Sequence, residues 1–380
     1  RRTYLVLGIE TSCDDTSVCL YDRFSASAPP RLLVSLKEST DNSDTQGIVP
    51  MTALMHHQSH LASLVSQALR PSADSAIPLR PDLICVTRGP GMRGSLSAGT
   101  EFAKGLAVAL RVPLIGVHHM LGHLLTPRLL ANPSPERSGP AFPYLSLLAS
   151  GGHTMLVLSR SLVDHEILAN TIDIAIGDAI DKCARAIGLQ LSNNNSYGPE
   201  LERAACLYLD LVKSGQIDNE ATKSIEIPIP MRNKNRRTDA TAFSFAAYIS
   251  ILEREVTKTF GGFNNLSNDE RLKLAKRIQD AIFLQTVERI VFTVNNKLDE
   301  QTRSQIKDFV CAGGVASNMA LRTALREALK RNDSWRMHFP PLNLCTDNGE
   351  MIAWAGIELW EKMGLRSSLD MLPLSKWPLE

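Results

Sequence analysis

Three of the nine histidines in this 380-residue chain fall within six residues, His118-His119-Met120-Leu121-Gly122-His123. His119 and His123 are four apart. On a helix that spacing puts both imidazoles on one face, within reach of one metal ion. Ordinary helix starts with solvent-facing histidines share the spacing. The run follows residues 112–117, an apolar stretch that reads as a buried strand. Open α/β sheets keep their sites at such strand-to-helix junctions. A second i, i+4 pair, His56 and His60 in Met55-His56-His57-Gln58-Ser59-His60, reads as a polar helix face without a metal role.

Four turns could face a nucleotide. Glu10-Thr11-Ser12-Cys13-Asp14-Asp15 separates two apolar strands and offers hydroxyls and N–H groups. Ser150-Gly151-Gly152-His153-Thr154 occupies the equivalent place later in the chain, where paired glycines allow close backbone approach to an anion. Cys311-Ala312-Gly313-Gly314-Val315-Ala316-Ser317-Asn318 leaves a buried strand and enters a helix. Each alone is also an ordinary structural turn. The fourth, Gly89-Pro90-Gly91-Met92-Arg93-Gly94, satisfies the dinucleotide fingerprint G-x-G-x-x-G. The acidic residue expected about 20 positions on is missing, since the next strand ends in His118-His119. Pro90 also removes a donor, which argues against a dehydrogenase.

Further along, Arg232, Lys234, Arg236 and Arg237 sit among asparagines after Pro228 and Pro230. This reads as a flexible basic loop, either solvated or suited to nucleic-acid phosphates.

The elements that must position these residues follow from pattern. Strands are expected at 4–9, 16–21, 82–87, 112–117, 144–149, 154–158 and 309–312. Helices are expected at 51–69, 94–110, 178–188, 199–214, 240–260, 268–299, 317–331 and 347–363, with a flexible insertion at 132–140. Strand–turn–strand followed by alternating strands and helices occurs twice, which predicts two similar α/β lobes. The expected boundaries are 1–140 and 141–344, with the C-terminal helix, about 345–380, packing back on the first lobe.

Composition narrows the class. With 44% hydrophobic and 21% charged residues the chain reads as soluble and globular. No apolar run reaches the ~18 residues of a membrane span. A net charge of +1 leaves nucleic-acid contact to a local patch. Seven cysteines without a Cys-x-x-Cys pair exclude a cysteine zinc cluster and suggest a reducing compartment.

Together the motifs resemble the tRNA threonylcarbamoyladenosine synthase family, TsaD, of the actin-like ATPase superfamily. The matches are Gly8-Ile9-Glu10-Thr11-Ser12-Cys13-Asp14-Asp15-Thr16, residues 89–99 and the histidine run. Ser150-Gly151-Gly152-His153-Thr154, Gly177-Asp178 with Asp181-Lys182, and Phe243-Ser244-Phe245 follow. Gly313-Gly314 with Asn318 and Cys345-Thr346-Asp347-Asn348-Gly349 complete the set. The Thr-Ser-Cys-Asp opening is similar to the bacterial and mitochondrial branch.

The resemblance implies two actin-like lobes around a nucleotide-binding cleft. It also implies transfer of a threonylcarbamoyl group from its adenylate to N6 of adenosine 37 in tRNAs reading codons that begin with A, with release of AMP. By the same resemblance, His119, His123 and Asp347 match the ligands of one divalent metal ion (Fe, Zn or Mg). Leu148, Ala149, Ser150, Gly151, Gly152, Asp181, Gly198, Glu202 and Asn318 match substrate-contacting positions, Asp181 suiting a ribose hydroxyl. Asp14 and Asp15 are candidates for removing the amine proton. The basic loop at Arg232, Lys234, Arg236 and Arg237 would contact tRNA. A separate enzyme would supply the adenylate. A homodimer, no membrane association and a mitochondrial matrix location are expected, with bacterial cytoplasm as the alternative. The opening Arg1-Arg2-Thr3 fits a removed targeting segment or trimming. A small-molecule kinase or ATPase of the same superfamily would share the nucleotide turns but not need the histidine pair; a non-enzymatic scaffold is a third reading.

Two departures carry weight. Where the family has His-His-Met-Glu-Gly-His, this chain has Leu121, so the glutamate base of a two-histidine metalloprotease is missing. The usual Tyr-Pro-Gly-Gly-Pro loop is replaced by Ser192-Asn193-Asn194-Asn195-Ser196-Tyr197-Gly198-Pro199.

Overall fold

The computed structural model describes residues 3–25, 28–42, 47–70, 78–129, 139–191, 196–235, 237–330 and 335–380. Arg236, residues 192–195 and most of the 132–140 insertion lie outside these. The chain forms two compact units: Arg1–Phe142 with Arg160–His165 and Pro340–Glu380, and Pro143–Ser159 with Glu166–Phe339.

In the first unit, β1 (Tyr4–Glu10) pairs antiparallel with β2 (Asp15–Arg23), and β2 antiparallel with β3 (Arg31–Ser39). On its other side β1 runs parallel to β4 (Leu83–Gly89), and β4 parallel to β5 (Leu114–His118). Helix α1 (Pro50–Ala68) joins β3 to β4, α2 (Arg93–Leu110) joins β4 to β5, and α3 (His119–Leu129) leaves β5. In the second unit β6 (Tyr144–Ala149) pairs antiparallel with β7 (Thr154–Ser159), which neighbours β8 (His165–Asn170). Between β8 and the next strand come α4 (Ile176–Ala186), α5 (Gly198–Lys213), α6 (Ala247–Phe260), α7 (Asn268–Lys297) and α8 (Glu300–Gln305). Strand β9 (Asp308–Ala312) lies parallel to β6, and α9 (Met319–Leu329) leads to β10 (Arg336–His338), parallel to β9. Counted in chain order, both sheets read third-second-first-fourth-fifth. The expected duplication of one α/β design is therefore present.

Strands β1, β4, β5, β6, β7 and β9 are largely buried, near-continuous apolar runs because both sheet faces are covered there. Along β1, Val6 faces one core cluster with Cys19, Cys85, Ile115 and Val117, while Leu7 and Ile9 face another with Val18, Leu20, Ile84 and Val86. The first cluster is closed by α10 (Gly349–Met363). Its approach is so close that a Cβ on Gly8 would lie 2.4 Å from the Gly349 carbonyl oxygen, and one on Gly356 2.2 Å from Cys85 Sγ.

The structure also departs from the sequence reading. Strands β3, β8 and β10 were not anticipated. The helix expected from 240 begins at Ala247. Phe243 N–H instead donates to the Asn170 carbonyl, and Ile172 N–H to that of Phe243. Asp173 accepts from the Ser244 hydroxyl (2.6 Å) and from Phe245 and Ala246 N–H (2.9 and 3.3 Å), which holds the segment extended until α6 starts.

Candidate functional site

His119 opens α3 and His123 follows one turn later; both are buried. Asp347 stands two residues before α10. The N-cap of that helix is Asn348, whose Oδ1 accepts from Met351 N–H at 2.8 Å, so Asp347 is released from capping. Its Oδ1 lies 3.5 Å from His119 Nε2 and 3.2 Å from His123 Nε2. Two ligands held about 2.0–2.1 Å from one tetrahedral ion sit about 3.3 Å apart, so the spacing suits a shared metal. One ligand atom from each of the three residues lies within 4.8 Å of the others. The donor set fits a divalent ion with open positions.

Glu10, at the end of β1, completes the arrangement and was not singled out from sequence. Fully buried, it accepts from Ser12 N–H (2.5 Å) and the Thr87 hydroxyl (2.5 Å), and its Oε2 lies 3.1 Å from His119 Nδ1. It thereby holds the Nδ1–H tautomer and leaves Nε2 for a ligand. Burial alone would push His119 down; the Asp347 and Glu10 carboxylates outweigh it and lift the ring to about 9, so an ion binding at Nε2 would displace a proton there. For Asp347, burial alone would raise the carboxyl, but the two imidazoles and Lys37 hold it well below the usual range. His123 Nδ1 is buried without a partner. Leu121, in the place of the family's glutamate, is packed in the core beside α10. His118 is structural, its Nε2 donating to the Trp377 carbonyl at 3.0 Å.

Asp14 and Asp15 lie in the same unit. Asp14 accepts from the Asn42 amide at 2.9 Å. Asp15 accepts from Ser39 Oγ and Lys37 Nζ, each at 2.5 Å, and burial raises its carboxyl against those partners. Lys37 also donates to the Asp347 carbonyl at 3.0 Å, so this unanticipated strand residue links the first loop to the metal candidates. The Gly89–Gly94 turn is filled from within: a Cβ on Gly89 would lie 1.9 Å from Leu374 O, and Gly91 N–H donates to Ser375 O.

The second unit holds the other candidates. Ser150 Oγ accepts from His153 N–H at 3.0 Å and shapes the turn. A Cβ on Gly151 or Gly152 would meet nothing within 4 Å, so the turn presents bare backbone. Its underside is tight: Gly177 at the start of α4 and Gly313 (φ +95°) admit no Cβ against Gly151 and Ala149, the strand residue that follows Leu148. Asp181, on α4, is pushed up to about 6 by burial, against hydrogen bonds from Ser196, Gly198 and Tyr197. Glu202 accepts from Met319 N–H at 2.7 Å. Asn318 caps α9 through Oδ1 and donates Nδ2–H to Gln279 at 3.0 Å, so its amide is largely engaged inside the unit.

The basic segment is more ordered than expected. Arg232 bridges to Thr238, and Asn233 Oδ1 accepts from Asn235 and Arg237 N–H. Arg232 also pairs with Glu288 of α7 through the Nε–Nη2 edge of its guanidinium, so it anchors the loop and is not an open phosphate contact. The fully buried Arg289 donates to the carbonyls of Pro230, Met231 and Ala240. Lys234 and Arg237 are exposed.

Residues 32–354 match the family model described as TsaD, tRNA N6-adenosine threonylcarbamoyltransferase. The chain is 36% identical over 388 residues to the mitochondrial tRNA N6-adenosine threonylcarbamoyltransferase of Schizosaccharomyces pombe, covering 100% of this chain and 87% of that one. It is 36% identical over 352 residues to the tRNA N6-adenosine threonylcarbamoyltransferase of Chromobacterium violaceum, covering 93% and 92%. Among the described residues no helix is long and apolar enough to cross a membrane. The chain therefore belongs to the tRNA N6-adenosine threonylcarbamoyltransferase family, TsaD, and is a transferase.

Proposed function

We propose that this chain transfers the threonylcarbamoyl group of threonylcarbamoyl-adenylate to N6 of adenosine 37 in tRNAs reading codons that begin with A. The observation that carries the reading is the trio His119, His123 and Asp347, ordered by Glu10, in a chain of this family. A kinase of the same superfamily would have no use for the trio.

The donor carbonyl is already activated as a mixed anhydride. The amine nitrogen forms the new C–N bond, the bond to the phosphate oxygen breaks, and AMP leaves. What remains for the protein is positioning, charge stabilisation and proton removal. A divalent ion held by His119, His123 and Asp347 would supply a positive centre for substrate oxygens. Leu148 to Gly152 would receive the nucleotide on bare N–H groups, Asp181 would accept from ribose hydroxyls, and Gly198, Glu202 and Asn318 would shape the surrounding wall. Asp14 and Asp15 are the carboxylates proposed to take the N6 proton. Exposed Lys234 and Arg237 would contact tRNA phosphates, with Arg236 beside them in sequence.

The adenylate would come from a separate enzyme, the chain would act as a homodimer, and the mitochondrial relative supports a matrix location. The reading is tested by incubating the chain with threonine, bicarbonate, ATP, an adenylate-forming enzyme and tRNA, then analysing nucleosides. Threonylcarbamoyladenosine in the complete mixture, and none without this chain, is expected. Equal product without it would overturn the assignment.

A further inference from the structure

The second histidine pair is not an ordinary polar face. Glu38 on β3 lies opposite Thr16 on β2, and α1 packs His56 and His60 against this edge. The protons in the network can be followed one by one. His57 Nε2 lies 2.9 Å from the Cys13 carbonyl oxygen, which only accepts, so Nε2 carries the hydrogen and Nδ1 is a lone pair. That lone pair takes the single Thr16 hydroxyl proton at 2.7 Å. The Thr16 oxygen must then accept from His56 Nδ1–H at 3.0 Å, which leaves His56 Nε2 as a lone pair. His60 Nδ1 lies 2.8 Å from the His56 carbonyl, so it too carries the hydrogen. His60 Nε2 is thus a second lone pair, facing Glu38 Oε2 at 3.3 Å.

A positive centre between two acceptors at that distance would reconcile them, although both side chains are about two-fifths exposed (40% and 43%). A proton on His60 would satisfy only one contact. It would also place a cation against the stacked His56 ring, whose centroid is 4.1 Å away with an interplanar angle of 18°. A metal ion satisfies all three groups together. One ligand atom of each lies within 4.8 Å of the others, and 3.3 Å is about the span of two ligands on one ion. Burial, then the neighbouring imidazoles, push His56 down, so it remains the neutral ligand form.

We propose that Glu38, His56 and His60 form a second divalent transition-metal site, of the zinc class, separate from His119, His123 and Asp347. Its outer hydrogen bonds run through Thr16 and His57 to the Cys13 carbonyl, next to Asp14 and Asp15. An ion here therefore braces the first loop as well as tying β3 to α1.

Titration of the full chain with cobalt(II) alone, read by visible absorption and by metal content after dialysis, tests this without reference to activity. The chain should bind two equivalents. The His119→Ala/His123→Ala variant should keep one, and His60→Ala on the wild-type background should also keep one. Loss of a hydrogen-bonding partner behind a metal ligand already costs about 10–100-fold in affinity, so Glu38→Gln, which alters a ligand itself, should weaken the remaining site by at least about tenfold in the His119→Ala/His123→Ala background. A wild-type chain that binds one equivalent only, or a stoichiometry unchanged by His60→Ala, would overturn the proposal. So would an affinity untouched by Glu38→Gln.

Discussion

Single side chains decide the proposed chemistry, and their legibility differs. His119 and His123 could be read from spacing alone, because a helix turns a four-residue interval into one face. Glu10 could not: an acid in a polar turn is unremarkable until the fold buries it against His119. Asp347 was a ligand candidate only by resemblance, and its freedom from helix capping shows in the structure, where Asn348 takes that role. His119→Ala and His123→Ala should each abolish metal binding at this site while circular dichroism stays native. His119→Ala should cost more stability, about 1–3 kcal/mol, because it strips a partner from the fully buried Glu10 as well as from Asp347, whereas His123→Ala strips one from Asp347 alone. Asp181 gives a pH test. Its folded value near 6 lies above the ordinary 3.8 because burial penalises the ionised form. The favourable protonated state is fully available below about 4 and is lost as pH rises through 6. Asp181→Asn should therefore stabilise the chain by about 1–2 kcal/mol at pH 7–8, after allowance for partial solvent screening, and not at all near pH 4. Thermal melts at both pH values check this, and adenylate affinity should fall in the same variant.

At the scale of elements, the site depends on α10 lying almost in contact with β1 and carrying Asp347 to α3. Gly8→Ala places a methyl 2.4 Å from a backbone oxygen of that helix. Overpacking of this kind costs about 1–3 kcal/mol. Metal affinity should drop with stability, although no ligand is altered; denaturant melts paired with metal titration measure both. Unchanged affinity would show that Asp347 does not depend on this contact. The buried strands and long helices were legible because their apolar runs are continuous or periodic. Strand β3 was not, since Lys37, Glu38 and Ser39 interrupt its pattern at the sheet edge, yet it supplies Lys37 beside Asp15. The helix expected at 240–246 failed for another reason: Asp173, about 70 residues earlier, holds that segment extended.

For the molecule as a whole, the repeated strand order could be anticipated from two strand–turn–strand openings, and the structure shows the same order in both sheets. The basic segment shows the limit of composition: four cations in a row of polar residues look alike, but Arg232 is bound to Glu288. Lys234→Glu with Arg237→Glu should weaken tRNA binding and reduce the slope of log affinity against log salt by about 1–2, with adenylate affinity unchanged. An unchanged slope would make the loop a solvated surface. The proposed reaction is group transfer from a donor that already stores its activation energy. The most direct measurement supplies preformed threonylcarbamoyl-adenylate and tRNA to the purified chain without ATP, and quantifies modified adenosine together with AMP. Both products are expected in equal amounts, with neither formed by the His119→Ala/His123→Ala variant. Product that forms only in step with added ATP hydrolysis would contradict the proposed reaction.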